Sequence, residues 1–167
     1  MKTILLVRHA KSGNAEYNET DFERSLTNSG NIDAKNMAKL ISEKNIVIDL
    51  MVTSTAKRAA STCLHFATAN NIHYSYIVFE DKLYNAPSSI FNKVISTLDN
   101  NINSVAIFGH NQGISEYASS LLNETLHVEM KPCSVFAVNA DIKDWKDWEN
   151  AEKHLLFFEK PTGTTVQ

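Results

Sequence analysis

Ile4-Leu5-Leu6-Val7-Arg8-His9 lies almost at the amino terminus and reads as a strand that ends in chemistry. Four consecutive apolar residues mark a strand buried on both faces, as in a largely parallel sheet. The run then stops at a guanidinium and an imidazole. The same pattern returns as Val105-Ala106-Ile107-Phe108-Gly109-His110. A third run, Leu50-Met51-Val52, leads through Thr53-Ser54-Thr55-Ala56-Lys57 to Arg58.

Outward from these runs, short β-branched segments alternate with longer stretches of helical period. Strands are expected at 3–8, 49–53, 74–79, 104–108, 134–139 and 154–158. Four amphipathic helices fall between them, on Ala34/Met37/Ala38/Ile41, Ala60/Cys63/Leu64/Ala67, Phe91/Val94/Ile95/Leu98 and Ile114/Tyr117/Ala118/Leu121. Thr27 is a candidate cap for the first, and Pro87 suits the first turn of the third. Residues 141–152 are polar and carry Trp, with no clear helix, so the last two strands should pair as a hairpin. The fold class is therefore α/β: a three-layer sandwich whose largely parallel, mixed sheet of about six strands is flanked by helices. A chain of 167 residues fits one domain, assigned to 1–160, with 161–167 expected to fray.

Bulk properties narrow the partners. A net charge of −3 gives no general attraction to nucleic acid or an anionic membrane. The apolar run at the amino terminus is too short for a signal peptide or a span. Cys63 and Cys133 lack metal-like spacing and read as reduced, buried thiols of a cytoplasmic protein. The oligomeric state is left open, and a monomer is compatible with all of this.

Open α/β sheets hold ligands beyond the carboxyl ends of their strands. If the three strands are neighbours, His9, His110, Arg8 and Arg58 meet there. Arginine usage sharpens the point, because the chain has three Arg against thirteen Lys. Lys supplies the surface charge, whereas the planar, permanently charged Arg fork suits phosphoryl oxygens. A single histidine at a strand end is more often structural, and His65, His73, His127 and His154 are read so. Arg24 is expected to make local loop contacts.

In order and spacing, these residues resemble the histidine phosphatase superfamily and, within it, the SixA-type phosphohistidine phosphatases. The signature is Arg8-His9-Ala10-Lys11-Ser12, then Arg24-Ser25-Leu26-Thr27-x-x-Gly30, Ser54-x-Ala56-x-Arg58-Ala59-x-x-Thr62 and Gly109-His110-Asn111-Gln112-Gly113. The resemblance implies a phosphoglycerate mutase-like fold. It implies that His9 attacks phosphorus and is phosphorylated, with Arg8, Arg58 and His110 around the transferring group and Ser12 as a helper. No metal or cofactor is expected, since guanidinium and imidazole groups can do the work that Mg²⁺ does elsewhere.

Many relatives that cleave alkyl phosphates carry a glutamate after the third strand, and Asn85 stands at the corresponding position here. An amide cannot protonate a leaving oxygen, although Glu80 or Asp81 could if either reaches the site. A departing imidazole needs less help, which favours phosphohistidine on a protein as substrate. The rival readings are a phosphomonoesterase for a small phosphorylated metabolite and a non-catalytic phospho-binding module. No glycine-rich loop follows the first strand, which argues against a nucleotide-binding protein.

Overall fold

A computed structural model describes residues 1–122 and 127–162. Its six strands, β1 (Lys2–Arg8), β2 (Leu50–Thr53), β3 (Ile77–Phe79), β4 (Ser104–Gly109), β5 (Val135–Ala140) and β6 (His154–Glu159), form one sheet in the order β3-β2-β4-β1-β5-β6. The first four positions in that order run parallel, and β5 and β6 join antiparallel. This is the mixed α/β sheet the sequence calls for, including the terminal hairpin.

The helices are α1 (Asn28–Glu43), α2 (Lys57–Ala69), α3 (Ser89–Ile95) and α4 (Gly113–Ser120). Side chains of β1 alternate between two cores because successive strand residues face opposite sides. Leu5 and Val7 pack with Met37 and Ile41 of α1 and Phe66 of α2. Ile4 and Leu6 pack with Phe91 of α3 and Ile114 and Tyr117 of α4. Lys2, though 1% exposed, satisfies its ammonium on the carbonyls of Asn100 and Ile102 and on Asn103 Oδ1.

Four local expectations change. Tyr74–Tyr76 forms a 3₁₀ turn, shortening the third strand to Ile77–Phe79. Residues Trp145–Asn150 are also 3₁₀, capped by Asp144. At three residues per turn Trp145 and Trp148 share a face, and both are buried in the α3/α4 core. The buried face of α2 is rotated from the expected one, with Leu64 44% exposed and Arg58, Thr62 and Phe66 buried. Polar residues on that face serve the site, which blurs the apolar period. Pro87 precedes the α3 cap, Ser88, instead of entering the helix. The frayed-tail expectation falls, from residue 163 on, outside the described residues.

Among the described residues, no helix is long and apolar enough to cross a membrane. Both cysteines are free and buried, and burial pushes each thiol up to about 12, which makes them inert.

Candidate active site

The parallel register brings the four sequence-marked residues together. Arg8 pairs with Gly109 across β1 and β4, so the next residues, His9 and His110, leave the sheet side by side. The ladder continues past the strand ends, with the His9 amide donating to the Gly109 carbonyl at 3.1 Å. The Ser54 amide, beyond β2, donates to the Phe108 carbonyl at 3.0 Å. The two imidazole centroids lie 5.1 Å apart. Arg58 enters from the first turn of α2, where the sequence places it.

These residues line a cleft of about 390 Å³, with Lys11, Ser12, Asp21, Arg24, Asn85, Asn111 and Pro132 completing its wall. Its floor is buried: His9 is 9% exposed, Arg58 3% and His110 2%.

A hydrogen bond to a carbonyl defines the proton position on the His9 ring. His9 Nδ1 lies 2.7 Å from the Ala10 carbonyl, which can only accept, so Nδ1 carries the proton. Its Nε2 therefore keeps a lone pair, approached by Arg58 Nε at 3.3 Å. Ser54 Oγ accepts from the Ala56 amide and lies 2.8 Å from His110 Nε2, where either atom can donate. His110 Nδ1 is buried and unpartnered. Arg8 Nε is likewise buried without a partner, while its Nη1 donates to the Met130 carbonyl at 2.7 Å. A buried donor left unpaired costs roughly 1–3 kcal/mol, and Arg8 Nε on the cleft wall suits an incoming anion.

Electrostatics keep the rings neutral. Burial, then the cations Arg58, Arg8 and Arg24, bring His9 down to about 4, against the opposing Ala10 hydrogen bond. Burial, then His9 and Arg58, bring His110 to about 3. Burial also lowers Arg8, opposed by Glu129.

Two residues gain a place that sequence reading did not give them. Asp21 begins a 3₁₀ turn, Asp21–Glu23, closed by a capping box between Thr20 and Glu23. Its backbone carbonyl accepts from Arg58 Nη1, and its carboxylate accepts from Arg58, Arg24 and Tyr84. The Thr20-x-x-Glu23 pattern was the available signal. Tyr84 packs its ring edge-on against His110 at 5.6 Å and lies under the Arg58 guanidinium at 5.9 Å.

Arg24 makes the expected local contacts, with Gly13 O at 2.7 Å and Ser12 Oγ at 3.0 Å, and it also lines the cleft. Ser12 lines the cleft, its Oγ accepting from Arg24 Nη2. Glu80 and Asp81 are not brought to the cleft. Glu80 instead caps the turn at Asp81–Leu83, accepting from the Lys82 amide, and Asp81 is exposed. Asn85, held at φ 46°, occupies the wall in their stead. Among the described residues no group of three or more His, Cys, Asp or Glu side chains is placed to hold a metal ion.

Comparison with known proteins places this geometry in context. Residues 4–83 match the histidine phosphatase superfamily (branch 1). A crystal structure of a candidate phosphohistidine phosphatase SixA from Agrobacterium tumefaciens is 25% identical, with a TM-score of 0.83 covering 96% of this chain and 98% of that one. A structure of the protein histidine phosphatase SixA complexed with tungstate shares the fold at 17% identity, with a TM-score of 0.80 over 95% and 97% of the two chains. A curated relative, an uncharacterized chloroplastic protein of Arabidopsis thaliana, is 26% identical over 157 residues, covering 87% of this chain and 70% of its own.

Proposed function

Because residues 4–83 match the histidine phosphatase superfamily and the chain shares the fold of SixA structures, we propose that it is a phosphatase of that superfamily, one that takes the phosphoryl group onto His9 from phosphohistidine on a protein. The observation that carries this reading is His9 itself: a neutral imidazole whose Nε2 lone pair belongs to a cleft walled by Arg8, Arg58 and His110.

The steps follow from those protonation states. His9 Nε2 attacks phosphorus, and the P–N bond to the substrate ring breaks with its electron pair returning to that ring. His9 keeps its Nδ1 proton on the Ala10 carbonyl, so the phosphorylated imidazole is cationic and itself a good leaving group. Water then attacks phosphorus, phosphate departs, and His9 regains its lone pair. Guanidinium donors and the His110 ring stabilise the equatorial oxygens during both transfers. Arg58 exchanges its long 3.3 Å contact with His9 for a phosphoryl oxygen.

The preference for a P–N bond rests on the missing acid. An alkoxide leaves poorly without a proton donor. Asn85 cannot supply one, and Glu80 and Asp81 lie off the cleft. Asp21 is ionised, held well below the usual carboxylate range by the Tyr84 hydroxyl and then by Arg24, with Arg58 adding to both.

Turnover of a phosphohistidine peptide against an alkyl phosphate and an aryl phosphate tests the reading. The expected order is peptide first, aryl second and alkyl last. Efficient alkyl hydrolysis, lost on replacing Glu80 or Asp81, would establish the metabolite phosphomonoesterase instead.

A further inference from the structure

Asp21 is the one carboxylate among the residues lining the cleft, and the two transfers described above use it for nothing. Its Oδ1 accepts from Arg24 at 2.7 Å, and its Oδ2 accepts from Arg58 at 3.0 Å and from the Tyr84 hydroxyl at 2.7 Å. Every one of these partners donates and two are cations, which fits a carboxylate. The side chain is nevertheless 45% exposed, and Oδ1 retains a free lone pair. Asp21 therefore stands at the open side of a cleft whose other end is the buried floor of His9, Arg58 and His110. In-line attack by His9 from that floor directs the leaving group opposite to it, toward the open side.

An ionised carboxylate there repels a departing alkoxide and cannot protonate it. It suits a leaving group that departs bearing N–H. We propose that Asp21 sets the leaving-group class: its carboxylate accepts a hydrogen bond from the protonated far ring nitrogen of a phosphoimidazole and so favours phosphohistidine over phosphate esters. The inference rests on the phosphohistidine phosphatase reading and assigns the residue that enforces it.

The proton balance closes without any transfer to Asp21. The far nitrogen of the substrate ring takes its proton from water, and the resulting imidazolium pairs with the carboxylate. When the P–N bond breaks, the bonding pair returns to the ring, which leaves as neutral imidazole still carrying that N–H. His9 shows the same logic on the enzyme side, with the Ala10 carbonyl in the place of Asp21.

Asp21→Asn keeps the shape and removes the charge. The test measures kcat/KM of wild type and Asp21→Asn on a phosphohistidine peptide and on an aryl phosphate, whose leaving group needs no proton. A hydrogen bond to a charged group is worth roughly ten- to a hundredfold, so the variant's loss on the peptide should exceed its loss on the aryl phosphate by about that factor. Equal losses on both substrates would reduce Asp21 to a tether for Arg58 and Arg24 and overturn the inference, as would no loss on either. A wild-type protein that hydrolyses the aryl phosphate but not the peptide would overturn the phosphohistidine reading, and this inference with it.

Discussion

At His9, burial and the neighbouring guanidinium groups bring the imidazole to about 4 while the Ala10 carbonyl holds a proton on Nδ1. Nε2 is thus unprotonated across the neutral range and loses its lone pair only as the pH falls through about 4. Phosphoryl transfer to His9 in a single turnover, corrected for substrate ionisation, should stay flat from pH 8 to pH 5 and decline below. A midpoint near the ordinary histidine value would contradict this placement of the cations. Arg58 is the second test at this scale. Arg58→Lys keeps the charge but loses the fork that serves His9 and Asp21 together. Removal of one preorganised donor costs roughly 10²–10³ in rate, and a loss of that order is expected for this variant. These residues were legible because each ends an apolar run or opens a helix. Asp21 was not, because its role comes from a 3₁₀ turn that brings residues 21 and 58 together, and no periodicity encodes that contact.

The amino terminus of α1 carries the loop that follows His9. Thr27 caps the helix by accepting from the Gly30 amide, and both its own amide and its hydroxyl donate to the Lys11 carbonyl. Gly30 packs so closely there that an added Cβ would overlap the Lys11 carbonyl oxygen. Gly30→Ala should therefore destabilise the fold by about 1–3 kcal/mol, as overpacking does, measured by urea unfolding. The site loop should move with it. Stability equal to wild type would mean that the loop can retreat freely. The first helix was readable because its apolar face is uninterrupted, from Ala34 to Ile41. In α2 Cys63 and Ala67 are buried as expected, but the face is rotated away from Leu64 because Arg58 and Thr62 are buried beside the cleft, Thr62 accepting from the Ala10 amide and donating to the Arg58 carbonyl. In Trp145–Asn150 the three-residue period of a 3₁₀ turn gave no α-helical signal, so two of the largest core residues were left without a place.

Two cores, one on each face of the sheet, hold His9 and His110 buried at the strand ends. That arrangement links stability to pH. In the unfolded chain both histidines take up protons below about 6.5, whereas in the fold His9 does so near 4 and His110 near 3. The unfolded state binds more protons through that window, so stability falls as the pH drops from about 6.5 toward 4. The urea midpoint should be lower at pH 5 than at pH 7, and the difference should shrink in His110→Gln. An unchanged midpoint would mean that the rings are solvated. The most direct test follows the phosphoryl group itself. Brief exposure to a ³²P-labelled phosphohistidine peptide, followed by rapid quenching at alkaline pH, should trap acid-labile label on His9 in the wild type and none in His9→Ala. Label that survives acid, or that persists in His9→Ala, would contradict the account.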